Sequence, residues 1–184
     1  MSTGKHERRA LSTRQAQEGD AAVIAAIYSQ GIADRIATFE TEPRAAHQIA
    51  TMLAAYAGTY PAIVVERDGV VTGCAWASPY RPRTCYAGIA EFSVYVDRAA
   101  RAAGVGTLAV SALIEACEAR GFWKLLSRIF PENTASRALC RRLGFREVGL
   151  YRRHARLDGV WRDVVIVERL LGDAARDAPL PAQK

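Results

Sequence analysis

The chain has 184 residues, of which 50% are hydrophobic and 24% are charged, and a chain of this length corresponds to about one domain. With 14 glycines and 7 prolines, its composition excludes a disordered or collagen-like protein. The 25 lysines and arginines outnumber the 19 aspartates and glutamates, and the net charge of +6 allows nucleic acid, a membrane surface or an anionic small molecule as partner.

Hydrophobic periodicity and turn signals divide most of the chain into strands and helices. Asp20 is placed to cap the first helix. The dipeptides Asp68-Gly69 and Asp158-Gly159 favour the tight turns of β-hairpins. In chain order, the predicted elements are strand 10–16, helix 20–31, connector 39–43, a helix from 43 or 44 to 58, strands 62–66, 70–77 and 90–96, helix 105–119, strand 122–129, helix 134–142, and strands 145–153 and 160–170.

This order of elements predicts an α+β fold with a mixed, mostly antiparallel sheet and helices on both faces. We expect one domain over residues 10–171, preceded by a flexible basic arm (1–9) and followed by a flexible tail (172–184). The arm lacks the apolar segment of a signal peptide. The longest apolar stretch, residues 21–28, is far shorter than the ~20 residues that span a membrane. We therefore expect a cytoplasmic protein without a membrane partner.

The spacing of the cysteines and the placement of positive charge exclude further kinds of site and partner. The cysteines show neither CxxC spacing nor a histidine at the spacing of a zinc site, which predicts no metal site and no disulfide framework. Much of the positive charge lies in the arm and between Arg137 and Arg162, where arginines are interspersed with core-like apolar residues. No nucleic-acid-binding motif accompanies this charge, so we expect no nucleic-acid partner. The cysteines expected to stay reduced are Cys74, Cys85, Cys117 and Cys140.

The segment from Arg101 to Gly106 lies between a predicted strand and a predicted helix. Its glycines, Gly104 and Gly106, allow the backbone to come close to a ligand. The free amides at the start of the helix, together with the positive end of the helix dipole, then face that ligand. This pattern predicts a phosphate-binding turn, although the same glycines also suit a simple tight turn.

Two known kinds of nucleotide-binding site also have a glycine-rich turn before a helix. A P-loop needs Gly-Lys-Ser/Thr, which does not occur in the chain. The run from Gly104 to Ala109 satisfies the dinucleotide pattern GxGxx[GA]. However, predicted hairpins flank it on both sides, and the next strand ends in Arg128-Ile129-Phe130, where an acidic ribose ligand is needed. The sequence therefore favours a phosphate other than that of NAD.

A series of motifs occurs in one order: Glu91 on a strand, Val94-Tyr95-Val96 at its end, Arg101-x-x-Gly104-x-Gly106, Asn133-x-x-Ser136-x-x-Leu139 and Gly144-Phe145. In order and spacing they resemble the GNAT superfamily of acetyl-CoA-dependent N-acetyltransferases over about residues 10–170. Further segments resemble, more narrowly, the phosphinothricin and arsinothricin N-acetyltransferases. These segments are Phe39-Glu40-Thr41-Glu42-Pro43, Ser78-Pro79-Tyr80-Arg81, Tyr86 and Gly159-Val160-Trp161-Arg162-Asp163-Val164.

The resemblance implies acetyl-CoA as co-substrate and no metal. In the superfamily, the end of the long strand and the RxxGxG turn hold the pantetheine arm and pyrophosphate of CoA. The corresponding cofactor-binding residues here are Val94, Tyr95, Val96, Arg101, Ala102, Ala103, Gly104, Val105, Gly106 and Thr107. Asn133 and Ser136 match positions that commonly contact the pantetheine, and Asn133 equally suits the N-cap of its helix.

The resemblance also assigns Glu91 as the general base that takes a proton from the acceptor's ammonium group, directly or through water. A backbone N–H of the same strand could stabilise the developing oxyanion. The alternative is an exposed strand carboxylate paired with an arginine. The group that donates a proton to the departing thiolate is left open. Many relatives have Tyr or His seven residues after Asn133, where this chain has Cys140. Cys140, Tyr151 or a water could be the donor.

The narrower resemblance implies that the acceptor is a small glutamate-like amino acid with a phosphinate or an arsenic oxyacid, and that its acetylation confers resistance. Arg81 and Arg83, two residues apart, would point to one side of an extended segment and could clamp the oxyanion. An ordinary basic surface loop is the alternative. Phe39, Tyr80 and Tyr86 could wall the pocket. A homodimer is expected from the resemblance alone.

Two other classes of function stay open. One is a GNAT enzyme for a different amine, such as methionine sulfoximine, a protein N-terminus or an aminoglycoside. The other is a non-catalytic module that binds CoA or nucleic acid. A panel of acceptors distinguishes the first class from the acetylation of a glutamate-like amino acid. A module of the second class would bind acetyl-CoA without consuming the thioester.

Overall fold

The structure, a computed structural model, describes residues 10–176, so the predicted arm and residues 177–184 of the predicted tail lie outside the described part. Its elements are β1 Leu11–Gln15, α1 Ala21–Ala33, α2 Ala46–Tyr56, β2 Ala62–Arg67, β3 Val70–Pro79, β4 Ile89–Val96, α3 Val105–Ala119, β5 Lys124–Ile129, α4 Thr134–Arg142, β6 Arg146–Leu157, β7 Val160–Leu170 and α5 Gly172–Arg176. The strands form one 7-stranded sheet in the order β1-β2-β3-β4-β5-β7-β6.

The sheet is mostly antiparallel, as predicted. Only β4 and β5 pair in parallel, and every other neighbouring pair of strands in the described sheet is antiparallel. Both predicted hairpin turns are confirmed: Asp68 and Gly69 have φ values of 53° and 77°, and Asp158 and Gly159 have 48° and 79°. These left-handed conformations match the right-handed twist of the strands that they connect.

Each face of the sheet carries its own hydrophobic core, which confirms helices on both faces. Ile24 and Ile27 of α1 and Ile49 of α2 pack on one face of the sheet. Leu113 of α3 packs on the other face with Phe92 of β4, and side chains of α4 join this second core. Because successive side chains of a strand alternate between faces, β4 contributes to both cores. No helix in residues 10–176 combines the length and hydropathy of a transmembrane span.

Asp20 stands at the start of α1, but its side chain does not cap the helix as predicted. Its carboxylate instead accepts two hydrogen bonds from the Arg14 guanidinium, at 2.7 and 2.8 Å, and one from the Gln17 amide at 2.7 Å. The long-range partner outcompetes the local one because Arg14 brings a charge and a planar pair of donors. Asp20 therefore joins β1 to the entry of α1.

Several predicted element ends shift by a few residues for reasons of tertiary packing. Helix α1 continues past Gly31 to Ala33, because this glycine serves close packing: a Cβ there would lie 2.7 Å from a ring carbon of Tyr95. Helix α2 starts at Ala46, since the Arg44 amide donates to the Ser29 hydroxyl at 3.1 Å.

The last strands also differ from the prediction. Strand β5 begins after Phe122, whose amide donates to the Cys117 carbonyl at 3.1 Å. Strand β6 runs on to Leu157 past an irregularity between Tyr151 and Ala155. The tail expected to be loose from residue 172 begins with the short helix α5, directly after the fully buried Leu171.

Candidate active site

Strands β4 and β5 pair over a short stretch and then separate. Their parallel ladder joins residues 89–91 to residues 124–126 and stops there, although β4 continues to Val96 and β5 to Ile129. The separation opens a cleft of about 490 Å³, bounded by the end of β4, the first turns of α3 and α4 and the segment after α1. A smaller cavity of about 60 Å³ adjoins this cleft between the two strands.

The turn before α3 holds the predicted phosphate-binding loop. Ala102 and Gly104 both have left-handed backbones, with φ values of 59° and 84°. The first helical hydrogen bond runs from the Leu108 amide to the Gly104 carbonyl at 3.0 Å, so the amides of residues 105–107 have no acceptor within the helix. These residues line the cleft. A helix N-terminus with free amides and a favourable dipole suits a phosphate group.

Gly106 has a different role from Gly104. A Cβ on Gly106 would lie 2.9 Å from Leu139 Cδ1 and 3.3 Å from Val96 Cγ2. The missing side chain lets α3 approach both α4 and β4 closely at the rim of the cleft. The two glycines of the motif therefore act in two ways, one by its backbone conformation and the other by its size.

Arg101, the first residue of the motif, is bonded within the protein. Its guanidinium donates to the Asp34 carboxylate at 2.6 Å and to the Val96 carbonyl at 3.4 Å. Asp34 follows α1 and also accepts from Arg98. Hydrogen bonds from Arg98 and Arg101 hold the pKa of Asp34 below its usual value. Arg101 thus fastens the turn to the end of α1.

All the predicted cofactor-binding residues except the exposed Ala103 line the cleft. They are Val94, Tyr95, Val96, Arg101, Ala102, Gly104, Val105, Gly106, Thr107, Asn133 and Ser136. Asn133 is the N-cap of α4, because its side-chain oxygen accepts from the Ser136 amide at 3.1 Å. Its side-chain nitrogen donates to the Ile36 carbonyl at 3.0 Å. The segment after α1 is thereby tied to the first turn of α4.

The predicted base, Glu91, forms a two-pronged ion pair with Arg128 of β5. Each of two guanidinium nitrogens lies 2.8 Å from a different carboxylate oxygen. Both side chains lie on the α1 side of the sheet, since their strand neighbours Phe92 and Ile129 belong to the core on the α3 side. Arg128 lines the smaller cavity. The ion pair therefore stands at the point where β4 and β5 separate.

The two protein candidates for the proton donor lie in different surroundings. Cys140 is buried on α4 and lines the smaller cavity, and burial raises the pKa of its thiol to about 12. Tyr151 is half-exposed on β6, where its ring lies 5.2 Å from the ring of His154. Of these two side chains, only the Cys140 thiol adjoins the space between β4 and β5.

The predicted acceptor residues fall into two groups. Tyr80 and Tyr86 pack edge to face, with ring centroids 5.6 Å apart, directly after β3. Arg81 stacks over the Tyr80 ring at 5.2 Å, and both Arg81 and Arg83 are exposed. Phe39 lies elsewhere: its ring packs edge to face on Phe130, which lines the smaller cavity, with centroids 4.8 Å apart. The structure thus brings the two tyrosines together and leaves Phe39 in a separate cluster.

Some residues of the cleft were not predicted from the sequence. Arg142 follows Ser136 and Leu139 at regular intervals, so it lies on the same face of α4 and lines the cleft. That spacing is a sequence signal for Arg142. Ile36 and Ala37 carry no such signal, because the segment after α1 reaches the cleft only through tertiary contacts. Within residues 10–176, no cluster of three acidic, histidine or cysteine side chains is suited to a metal ion.

The chain is similar to known acetyltransferases in both sequence and fold. The sequence model of the acetyltransferase (GNAT) family matches residues 24–145. The phosphinothricin N-acetyltransferase of Streptomyces viridochromogenes is 32% identical over 176 residues, which cover 96% of this chain and 92% of that enzyme. The L-methionine sulfoximine/L-methionine sulfone acetyltransferase of Pseudomonas paraeruginosa is 34% identical over 170 residues, or 91% and 98% of the two chains. The crystal structure of a GNAT superfamily phosphinothricin acetyltransferase from Sinorhizobium meliloti in complex with AcCoA is 32% identical, covers 94% of each chain and gives a TM-score of 0.85.

Proposed function

We propose that this chain, which belongs to the GNAT family of acetyltransferases, acetylates the α-amine of a small glutamate-like amino acid of the phosphinothricin or arsinothricin type. As a member of that family the protein is an acetyl-CoA-dependent N-acetyltransferase, and the acceptor is the proposed part. One observation carries the proposal: the cleft that starts at the turn of Gly104 adjoins a cavity lined by Arg128, the partner of Glu91. Acetylation turns the ammonium into a neutral amide, which is how it would inactivate a toxic amino acid and confer resistance.

The cleft fits acetyl-CoA in the chemistry of its walls. Residues 105–107 offer free amides at a helix N-terminus to the pyrophosphate, after a turn shaped by left-handed Ala102 and Gly104. Arg142 adds a cation at the rim, and Asn133 and Ser136 add polar groups for the pantetheine arm. When bound, acetyl-CoA supplies the thioester carbonyl that an amine attacks. The family's AcCoA complex supports this assignment of the cleft.

Glu91 is the proposed general base. An amine is mostly protonated at neutral pH and attacks only after it loses a proton, which the carboxylate accepts directly or through a water. The nitrogen lone pair then forms the new C–N bond while the C–S bond breaks and the thiolate leaves. Residues 92–96 of β4 no longer pair with β5, and this supports a role for a backbone N–H of β4 in stabilising the oxyanion.

Cys140 is the proposed donor of the proton to the thiolate, with Tyr151 and water as the alternatives. Its position on the smaller cavity supports this role. The raised pKa keeps the thiol protonated at neutral pH but also makes it a weak acid. The proposal therefore depends on a direct contact between the two sulfur atoms in the occupied cleft.

The segment after β3 is proposed to recognise the acceptor's acidic side chain. In the ladder of β3 with β4, Ser78 lies opposite Glu91, so this segment leaves the sheet close to the proposed base. Arg81 and Arg83 are exposed, and within residues 10–176 neither guanidinium has an ion-pair partner. Two unpaired guanidinium groups suit a phosphinate or an arsenic oxyacid, which accept two-pronged hydrogen bonds. Tyr80 and Tyr86 would wall this side of the pocket.

L-methionine sulfoximine is the second candidate acceptor, because a relative with that activity is 34% identical over 91% of this chain. Both acceptors are α-amino acids with a tetrahedral polar group on the side chain. A protein N-terminus and an aminoglycoside are the further alternatives within the family.

We also propose that the protein is a homodimer that buries the β6–β7 hairpin. Strand β6 is an edge strand, and an exposed edge readily pairs with another chain. Large apolar side chains of this hairpin are exposed: Val148, Leu150, Tyr151, Val160 and Trp161. Several exposed large apolar side chains on one edge hairpin are consistent with an interaction surface. Sedimentation of the wild type and of Trp161→Glu tests this, with a dimer expected only for the wild type.

Acetyl-CoA turnover with L-phosphinothricin and its arsenic analogue, measured side by side as thiol release, tests the proposed acceptor. We expect release with both acids and none with an aminoglycoside or an alanine peptide. Release with L-methionine sulfoximine alone would establish the second candidate instead. Binding of acetyl-CoA in a calorimeter without turnover of any acceptor would indicate a non-catalytic module.

A further inference from the structure

We infer that Arg128 is the subsite for the acceptor's α-carboxylate, and that this carboxylate frees Glu91 from its ion pair so that it can act as the base. The inference rests on the proposed function, because it concerns how a free amino acid is recognised at that same site. It makes Arg128 a specificity-determining residue that distinguishes free amino acids from other amines.

Arg128 is the member of the ion pair that lines the cavity. Arg128 lines the smaller cavity, whereas Glu91 lines neither that cavity nor the larger cleft. The Arg128 side chain is 42% exposed and that of Glu91 is 22% exposed. An acceptor that arrives through the cavity therefore meets Arg128 before it meets Glu91.

In the ion pair, Glu91 is not ready to take a proton from an amine. Both of its carboxylate oxygens accept a hydrogen bond from Arg128 at 2.8 Å. Arg128 has no other ion-pair partner within residues 10–176. A second carboxylate of suitable geometry can therefore replace Glu91 on the same two guanidinium nitrogens, because planar carboxylates share the fork geometry of arginine.

An α-amino acid carries the two groups that this exchange needs. Its carboxylate and its ammonium are attached to the same carbon atom, and Glu91 and Arg128 lie within hydrogen-bonding distance of each other. When the acceptor's carboxylate binds Arg128, the ammonium comes to lie beside the freed oxygens of Glu91. The exchange conserves charge, since one carboxylate replaces another on Arg128 and Glu91 gains a cation as its new partner.

The proton then moves from the ammonium nitrogen to a Glu91 oxygen, the nitrogen forms its bond to the acetyl carbon, and the C–S bond breaks. An amine without an adjacent carboxylate cannot displace Glu91 in this way and reacts only when the ion pair opens unaided. A peptide N-terminus, which carries an amide in place of the carboxylate, leaves Glu91 bound to Arg128. The ion pair thus selects free amino acids over peptides.

The test compares L-phosphinothricin with its α-carboxamide in the wild type and in Arg128→Gln. In the wild type, kcat/KM for the acid should exceed that for the carboxamide by about 10- to 100-fold, as expected for hydrogen bonds to a charged group. Arg128→Gln should abolish this preference: KM for the acid rises, kcat/KM for the carboxamide is unchanged or rises, and KM for acetyl-CoA stays the same. Arg128→Lys, which keeps the charge without the fork, should retain part of the preference.

Arg137→Gln is the matched control, because Arg137 forms a similar two-pronged pair with Glu147 outside the cleft. It should keep the full preference for the acid. If Arg128→Gln lowers kcat/KM equally for the acid and the carboxamide, or keeps the preference for the acid intact, the inference is overturned while the proposed function stands. Absence of thiol release by the wild type with both acceptors would instead overturn the proposed function. If Arg128→Gln does not fold, an undiminished preference in Arg128→Lys overturns the inference.

Discussion

Asp34 holds Arg101 by a hydrogen bond of 2.6 Å between its Oδ2 and the arginine Nη2. This contact joins the end of α1 to the turn before α3, and both residues line the cleft. The turn is thus fixed from outside by an ion pair and shaped from within by its left-handed residues, Ala102 and Gly104. A ligand meets amides that are already oriented, which lowers the entropy cost of binding.

Gly104→Ala tests this turn. A Cβ at Gly104 would meet no atom within 4 Å, so the only penalty is the left-handed backbone. In urea denaturation, we expect the free energy of unfolding to fall by about 1–2 kcal/mol. In calorimetry, we expect the Kd for acetyl-CoA to rise about tenfold, which corresponds to a loss of about 1.4 kcal/mol of binding free energy. Gly19→Ala, where the Cβ is equally unhindered, should leave the Kd unchanged. An unchanged Kd in the Gly104 variant would separate the turn from pyrophosphate binding.

Glu91→Gln tests the base. The amide accepts no proton, so kcat should fall by about 10²- to 10⁴-fold while acetyl-CoA binds as before. Steady-state kinetics at neutral pH and calorimetry measure the two effects. Glu147→Gln removes a carboxylate that is likewise paired with an arginine but lies outside the cleft, and it should turn over normally. Undiminished turnover in Glu91→Gln removes this residue from the mechanism.

Cys140→Ala tests the proton donor. Loss of a general acid should lower kcat by about 10²-fold, the low end of the usual range for such groups, with no change in KM for acetyl-CoA. Tyr151→Phe is the companion variant, and it should keep the wild-type kcat. The reverse result would assign the proton to Tyr151, and full activity in both variants would assign it to water.

Arg81→Ala and Arg83→Ala test the proposed clamp. Each loses a charge-assisted hydrogen bond to the acceptor's acidic side chain, so KM for L-phosphinothricin should rise about tenfold or more. The KM for acetyl-CoA should not change. Arg176→Ala, which removes an exposed arginine of α5, should leave both constants unaltered. Unchanged KM for the acid in both clamp variants would place its binding elsewhere.

Asp20 gives a pH-dependent contribution to stability. Hydrogen bonds from Arg14, opposed in part by burial, hold the pKa of Asp20 below its usual value of 3.8. The unfolded chain then binds this proton at a higher pH than the folded chain, so the contribution is present above about pH 4 and is lost as the pH falls further.

Asp20→Asn removes that contribution. At neutral pH its free energy of unfolding should be lower by about 1–3 kcal/mol, and its stability should depend less on pH between about 2 and 5 than that of the wild type. Denaturation curves at several pH values measure both effects. Asp173→Asn, at an exposed aspartate of α5, serves as control. Parallel pH curves for the wild type and Asp20→Asn would show that the ion pair with Arg14 does not stabilise the fold.

Features encoded within a few neighbouring residues could be predicted from the sequence. Helices α3 and α4 begin and end where periodicity and flanking residues indicate, and both hairpin turns follow from an Asp-Gly pair. The geometry of the proposed phosphate-binding turn belongs to this group, because left-handed glycine and a helix N-terminus are properties of a single short segment. Asp20 is an exception to this local prediction, because its side chain forms an ion pair with Arg14 of β1 and does not cap α1.

The sequence by itself thus determined the order of elements, the mixed sheet and the turn at Gly104. Only the tertiary structure decided that Arg128 pairs with Glu91, 37 residues away, and that Asp34 reaches Arg101, 67 residues away. Local propensity acts over a turn of helix or a pair of strands, whereas these contacts depend on where β4 and β5 separate and how α1 packs on the sheet. The charge environment of the candidate site arises from that packing and has no local signal in the chain.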